Sequence, residues 1–160
     1  MHEFLDIERI DLPLLIDHRN AEGTQKWLES ECEITPEQQL RWFENGGHKN
    51  YRIIKLVGGP RIGLARIKLL EDDMCQIGLD IFQEFRGQGL STAAFGSIMK
   101  HALRRSKKLE LWVFRENSAA VKVYRKCGFS IDESTPPRNL QRSWGPNGTH
   151  YAYIRMAYEP

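Results

Sequence analysis

The stretch "FQEFRGQGLSTAAFG", Phe82 to Gly96, constrains the fold more than any other. Gly87 and Gly89 flank a single glutamine, Gln88, directly behind Arg86, and an apolar helical pattern begins at once. Leu90, Ala94, Phe95, Ile98, Met99, Ala102 and Leu103 recur at spacings of three and four, one face of a helix running to about Arg105. A helix start exposes unpaired N–H groups, and its aligned peptide dipoles place partial positive charge there. Glycines at 87 and 89 let the backbone approach an anion with no Cβ in the way, and Arg86 adds a fixed charge. The pattern fits a diphosphate. Two glycines alone are equally well explained by a tight strand-to-helix turn. The dinucleotide fingerprint would need a third glycine where Thr92 stands and an acidic residue closing the next strand, which "LELWVF" lacks. The nucleoside triphosphate loop would need a lysine followed by serine or threonine, and there is none.

Around this loop the chain alternates helical and extended segments. "FLDIERI", Phe4 to Ile10, alternates as a half-buried strand does, and "LPLLIDHRN" and "TQKWL" read as helical pieces broken around Gly23. In "TPEQQLRWFENGG", Thr35 caps, Pro36 takes the first helical position, Gln38 completes a capping box and Gly46-Gly47 stop the helix. "YRIIKLV", "RIGLARIKLL" and "MCQIGLDIF", separated by the turns "GGP" and "EDD", predict three consecutive antiparallel strands. Beyond the glycine loop come the strand "LELWVF", the helix "NSAAVKVYRKCG" between Asn117 and Gly128, and a strand in "FSIDE". "STPPRNLQRSWGPNG" reads as a polar loop and "HYAYIRMAY" as a last strand. The order is mixed α/β in one domain spanning all 160 residues.

Downstream of the loop, "LELWVFRENSAAVKVYRKCGF" carries Asn117, Ala120, Tyr124 and the pair Gly128-Phe129 at fixed offsets. With these two motifs together the chain resembles the GNAT superfamily of N-acetyltransferases. That family's signature is Arg/Gln-x-x-Gly-x-Gly/Ala, then a strand, Asn-x-x-Ala-x-x-x-Tyr and Gly-Phe. Arg86, Gly89 and Ser91 fill the first pattern, with Ser91 in place of the usual glycine or alanine. The resemblance covers Ile53 to Phe129 well and the ends loosely. It implies the GNAT fold: a mixed, mostly antiparallel sheet of about seven strands, helices on both faces, and a V-shaped opening between the fourth and fifth strands. It implies acetyl-CoA as co-substrate, no metal, and direct attack by a primary amine in a ternary complex. "HRN" and "EITPEQQLRWF" look like enzymes that acetylate amino groups of nucleotide-linked sugars, and less specifically like acetylases of protein N-termini.

Carried residue by residue, the resemblance makes Tyr124 the general acid that protonates the departing thiolate. The plain reading is a tyrosine packed between helix and sheet. Arg86, Gly87, Gln88, Gly89, Leu90 and Ser91 would hold the pyrophosphate. Leu79 and Ile81 would offer strand-edge amides and carbonyls to pantetheine and the acetyl group. Asn117 caps its helix and would lie near the cofactor arm. On the acceptor side Arg19, where the first helix breaks, would meet an anionic acceptor, and Trp112 would border the cleft. Asp80, Glu84, Glu110 and His18 are all open as a base. Cys127 reads as a small core residue.

Composition narrows the alternatives. A net charge of +2 gives no global pull toward nucleic acid or an anionic membrane. The basic "RRSKK" is explained by its place at a helix C-terminus. Three widely spaced cysteines, Cys32, Cys75 and Cys127, lack zinc or dithiol spacing. With no signal or membrane-spanning pattern, the expectation is a cytoplasmic enzyme acting on a small-molecule amine, with oligomeric state open and a homodimer among the options. A catalytically silent acyl-CoA sensor, and an interaction domain whose glycine loop is structural, are the rivals from other classes.

Overall fold

A computed structural model describes residues 1–145 and 149–160. Residues 146–148, within the sequence-predicted polar loop, lie outside the described residues. The first strand is β1 (His2–Leu5), followed by a 3-10 turn at Arg9–Asp11 and the helices α1 (Leu12–Asn20), α2 (Glu22–Gln25) and α3 (Pro36–Glu44). Strands β2 (Tyr51–Leu56), β3 (Arg61–Leu69) and β4 (Met74–Ile81) lead to α4 (Ser91–Ala102). Then come β5 (Lys108–Phe114), α5 (Ser118–Lys126), β6 (Ser130–Ile131), β7 (Arg138–Gln141) and β8 (His150–Tyr158). The eight strands form one sheet in the order β1-β2-β3-β4-β5-β8-β6, with β7 also on β8. Every pairing is antiparallel except β4 with β5. No helix among the described residues is long and apolar enough to cross a membrane.

Four expectations need correction. The alternating start is a strand only to Leu5, because Glu8 and Asp11 close a reciprocal cap and Asp11 accepts from Arg61 at 2.5 Å, which turns the chain into α1. The helical pieces part at Ala21, whose backbone is extended, and Gly23 lies inside α2. The polar loop contains β7, paired with Tyr151 to Tyr153 and His150 of β8. The sheet accordingly has eight strands, one more than the seven expected.

Two apolar layers cover the sheet. Ile54, Ile77, Leu109, Leu111 and Met156 pack against Phe95 and Ile98 of α4 and Tyr124 of α5. On the other face Ile53 packs with Ile7 and Leu15, and Trp42 and Leu64 border them. Thr35 caps α3 as its sequence requires, accepting from the Gln38 N–H at 3.2 Å while Gln38 Oε1 accepts from the Thr35 N–H at 2.8 Å.

The sheet opens where the site lies. β4 pairs with β5 only over Met74–Gln76 and Lys108–Glu110, whereas β3 holds β4 from Cys75 to Ile81 and β8 holds β5 from Leu109 to Phe114. Beyond the Gln76–Glu110 hydrogen bond (3.0 Å) the two strands part, and the facing edges of Ile77–Ile81 and Leu111–Phe114 have no strand partner among the described residues. On the β3 side the end of β4 is held very closely, since a Cβ at Gly63 would overlap the Asp80 carbonyl oxygen and lie 3.2 Å from the Ile81 Cα. Gly63→Ala is therefore expected to push the end of β4 aside at about 1–3 kcal/mol, the usual cost of overpacking. Calorimetry should record a lower Tm, and an unchanged Tm would show that the end of β4 yields freely.

Candidate active site

The glycine loop is built to leave donors free. Gly87 and Gly89 take φ of +73° and +74°, and a Cβ on either would meet no protein atom within 4 Å. These left-handed conformations aim the backbone of Gly87 to Leu90 outward into α4. Among the described residues the N–H groups of Gly87 through Ala93 find no protein acceptor; the Ala94 N–H is the first to bond, to Leu90 O at 3.0 Å. A run of unpaired amides at a helix start, with room for a ligand, fits a pyrophosphate. The Gln88 side chain turns back to Glu84 O (3.0 Å), so its contribution to this cradle is its amide.

Arg86 points elsewhere. Its Nε donates to Ile81 O at 2.9 Å and its Nη2 to Thr24 Oγ1 at 2.7 Å, so the guanidinium ties the end of β4 to α2. Its approach depends on Gly23, where a Cβ would lie 2.7 Å from Nη1.

Tyr124 is fixed by its helix. Asn117 accepts from the Ala120 N–H at 3.3 Å, and Gly128 at φ +94° ends α5 with the Phe129 N–H on Tyr124 O at 3.0 Å. The Tyr124 ring is only 9% exposed, 4.7 Å from Phe95 and 6.5 Å from Phe129. Burial, with the nearby Asp80 carboxyl and Tyr153 phenol, pushes its hydroxyl well above an ordinary phenol, so it stays protonated.

On the opposite face a cavity of about 280 Å³ lies between α1, α3 and the sheet, with His18, Arg19, Thr24, Gln39, Tyr51 and Asp80 on its walls. Arg19 Nη2 donates to Ser30 O at 3.1 Å, while its Nη1 is buried without a partner among the described residues. Burial lowers the guanidinium from its ordinary value. Burial also raises the Asp80 carboxyl, against the pull of Arg86 and Arg19. His18 is 9% exposed, edge-on to Phe82 at 5.0 Å, with Nδ1 3.5 Å from Thr24 Oγ1 and Nε2 buried and without a partner among the described residues. Burial first, and then the Arg86 charge, pulls its pKa from 6.5 to about 4.

The structure thus puts Leu79, Asp80 and Ile81 on the parted end of β4, with the glycine loop following it in the chain, Tyr124 close enough to Asp80 to feel its charge, and Arg19 on the cavity wall with Asp80. Trp112 does not line the cavity; it stacks on Tyr153 at 5.7 Å on the β5 side of the opening. Of the open base candidates, Glu110 is committed to Gln76 and to Arg155 (2.6 Å), and Glu84 is exposed. Cys127 is half-buried beside the core. Thr24 and Gln39 escaped the sequence reading, since neither belongs to a motif and only the folding of α1–α3 over the sheet brings them to Asp80.

The chain matches the acetyltransferase (GNAT) domain family over residues 4–130. It belongs to that family. A 51-residue stretch is 37% identical to an N-acetyltransferase of Methanocaldococcus jannaschii described as uncharacterized, spanning 31% of this chain and 23% of that protein. The spermidine N-acetyltransferase of Vibrio cholerae, solved with CoA and spermine, superposes with a TM-score of 0.78 at 19% identity over 99% of this chain and 95% of the other. A structure provisionally assigned as a phosphinothricin N-acetyltransferase gives 0.79 at 16% identity, over 99% and 98%. At these identities the likeness is one of fold.

The His18 shift has a measurable consequence. From about pH 6.5 down to about 4 the unfolded chain takes up a proton that the folded imidazole refuses, so stability falls as pH falls through that window. The Tm of the wild type should therefore drop more steeply between pH 7 and 4.5 than that of His18→Gln. Parallel Tm profiles would show that His18 titrates normally.

Proposed function

We propose that the protein transfers the acetyl group of acetyl-CoA to a primary amine of a small molecule, by direct attack in a ternary complex. The observation that carries this reading is the run of amides from Gly87 to Ala93 with no protein acceptor among the described residues, in the loop that follows the parted end of β4. The loop amides, with Ser91 at the helix start, hold the pyrophosphate. The free edge of β4 at Leu79 and Ile81 pairs with the pantetheine arm and polarises the acetyl carbonyl, and Asn117 holds the start of α5 beside that arm.

Asp80, with a carboxyl raised by burial, takes the proton from the acceptor amine. His18, held neutral down to about pH 4, is too weak a base for that task. The amine attacks the carbonyl carbon, the C–S bond breaks, and Tyr124 gives its phenolic proton to the departing thiolate. Positioning and carbonyl polarisation supply most of the rate. An amino sugar, free or nucleotide-linked, is the acceptor favoured by the likeness of the "HRN" and "EITPEQQLRWF" segments.

Gly89→Val should weaken acetyl-CoA binding strongly in a folded protein, because a β-branched residue resists φ near +74° and its side chain enters the space left for the phosphates. Isothermal titration would measure it, and wild-type affinity would remove the phosphate-loop assignment. Tyr124→Phe should lower kcat by about 10²-fold or more with acetyl-CoA affinity nearly intact. A normal kcat would return Tyr124 to packing alone.

A further inference from the structure

A second cavity, of about 490 Å³, takes no part in the proposed reaction. His2 and Phe4 of β1 form one wall, and Ala93, Ser97, Lys100 and His101 of α4, with Arg104 just past its end, form the other. The walls are tied together by a hydrogen bond of 2.8 Å between His2 Nδ1 and Ser97 Oγ, and by the rings of Phe4 and His101, 5.0 Å apart. Phe95, which meets Tyr124 of α5, is two positions from both Ala93 and Ser97 and so lies nearly opposite them around the helix. The cavity is therefore on the flank of α4 turned away from Tyr124. It shares no residue with the cavity under α1 and α3.

The charge around this cavity has one sign. Lys100, Arg104 and the imidazoles of His2 and His101 line it, and among the described residues no carboxylate does. Lys107 and Lys108 of the same basic run are paired with Asp73 and Glu159, at 3.5 and 3.4 Å, whereas Lys100 and Arg104 form no ion pair among the described residues. Burial first, and then the charges of Arg104, Arg52 and Arg105, lower the His101 imidazole from its ordinary value. Cations gathered without a counter-charge repel one another, and an anion among them relieves that repulsion. We propose that this cavity binds a small organic phosphate, separate from the cofactor, whose phosphate meets Lys100 and Arg104 while its organic part lies against Phe4 and the His101 ring. A phosphate ester brings about two negative charges and three strong acceptor oxygens, enough to serve several cationic donors at once. The volume is within the range of small-ligand sites, and Met1, Phe4 and Ala93 supply apolar surface for the rest of the molecule. A nucleic-acid surface would instead need the whole basic run open, and its two lysines are already paired.

The test titrates the whole protein with a hexose 6-phosphate and with a nucleoside 5′-monophosphate, each against its unphosphorylated parent, with and without saturating CoA. At least one ester should bind saturably and raise the Tm of the CoA-saturated protein, and its parent should not. The imidazole NMR signals of His2 and His101 should move along the same binding curve. Lys100→Gln combined with Arg104→Gln changes two exposed side chains, so the variant should keep the wild-type Tm without ligand. It should bind the ester about tenfold or more weakly, the scale of losing charged hydrogen bonds, with affinity for CoA unchanged. No saturable binding by either ester, wild-type affinity in the double variant, or loss of ester binding when CoA is added would overturn the proposal. So would a duplex oligonucleotide that binds more tightly than the esters and is weakened by the same two substitutions, because the face would then be a nucleic-acid surface.

Discussion

The parting of β4 from β5 is the constraint on which the rest of the molecule depends. The strands share three rungs, ending where Gln76 bonds Glu110 at 3.0 Å. Glu110 also accepts from Arg155 at 2.6 Å, and Arg155 reaches Asp132 at 2.5 Å, so the last rung is pinned to β8 and to the residue after β6. Past it each strand follows its other neighbour, β4 along β3 and β5 along β8. An unpaired strand edge inside a sheet is costly unless something else bonds it. That liability marks the gap as a place where an extended ligand arm could complete the ladder, as the proposed function requires.

The ionisable groups around the opening are separated by burial and by charge. Asp80 is pushed up by burial and partly restrained by Arg86 and Arg19, while His18 is pushed down by burial and by the same two cations. Burial thus moves the carboxyl and the imidazole in opposite directions, each toward its neutral form. Tyr124 is shifted up by burial and by its acidic neighbours and stays protonated.

Arg86 illustrates how one motif position takes on a different task from the one its type suggests. The sequence places a cation beside a phosphate loop, and the direct reading is a phosphate ligand. In the structure the guanidinium spans Ile81 O and Thr24 Oγ1, which couples the end of β4 to α2 at the cavity wall. The loop's positive character then comes from its amides and the helix dipole.

Much of this was legible in the sequence. The period-three-and-four pattern of α4, the cap and stop of α5 and the reciprocal cap of α3 are local features, written in residues a few positions apart, and they fix the helices and the two motifs almost wherever the rest of the chain goes. Gly87 and Gly89 declare a backbone that must adopt positive φ, and this too is local. The early strand ending at Leu5 and β7 inside a polar loop were decided by distant partners: Arg61 for Asp11, and β8 for β7. The cavity under α1 and α3 belongs wholly to the second kind, since Thr24 meets Arg86 across 62 positions and Asp80 joins Arg19 only when α1 packs on the sheet. Hydrogen bonds between neighbours in sequence leave a pattern that can be read; those between distant residues exist only once hydrophobic burial has brought the layers together.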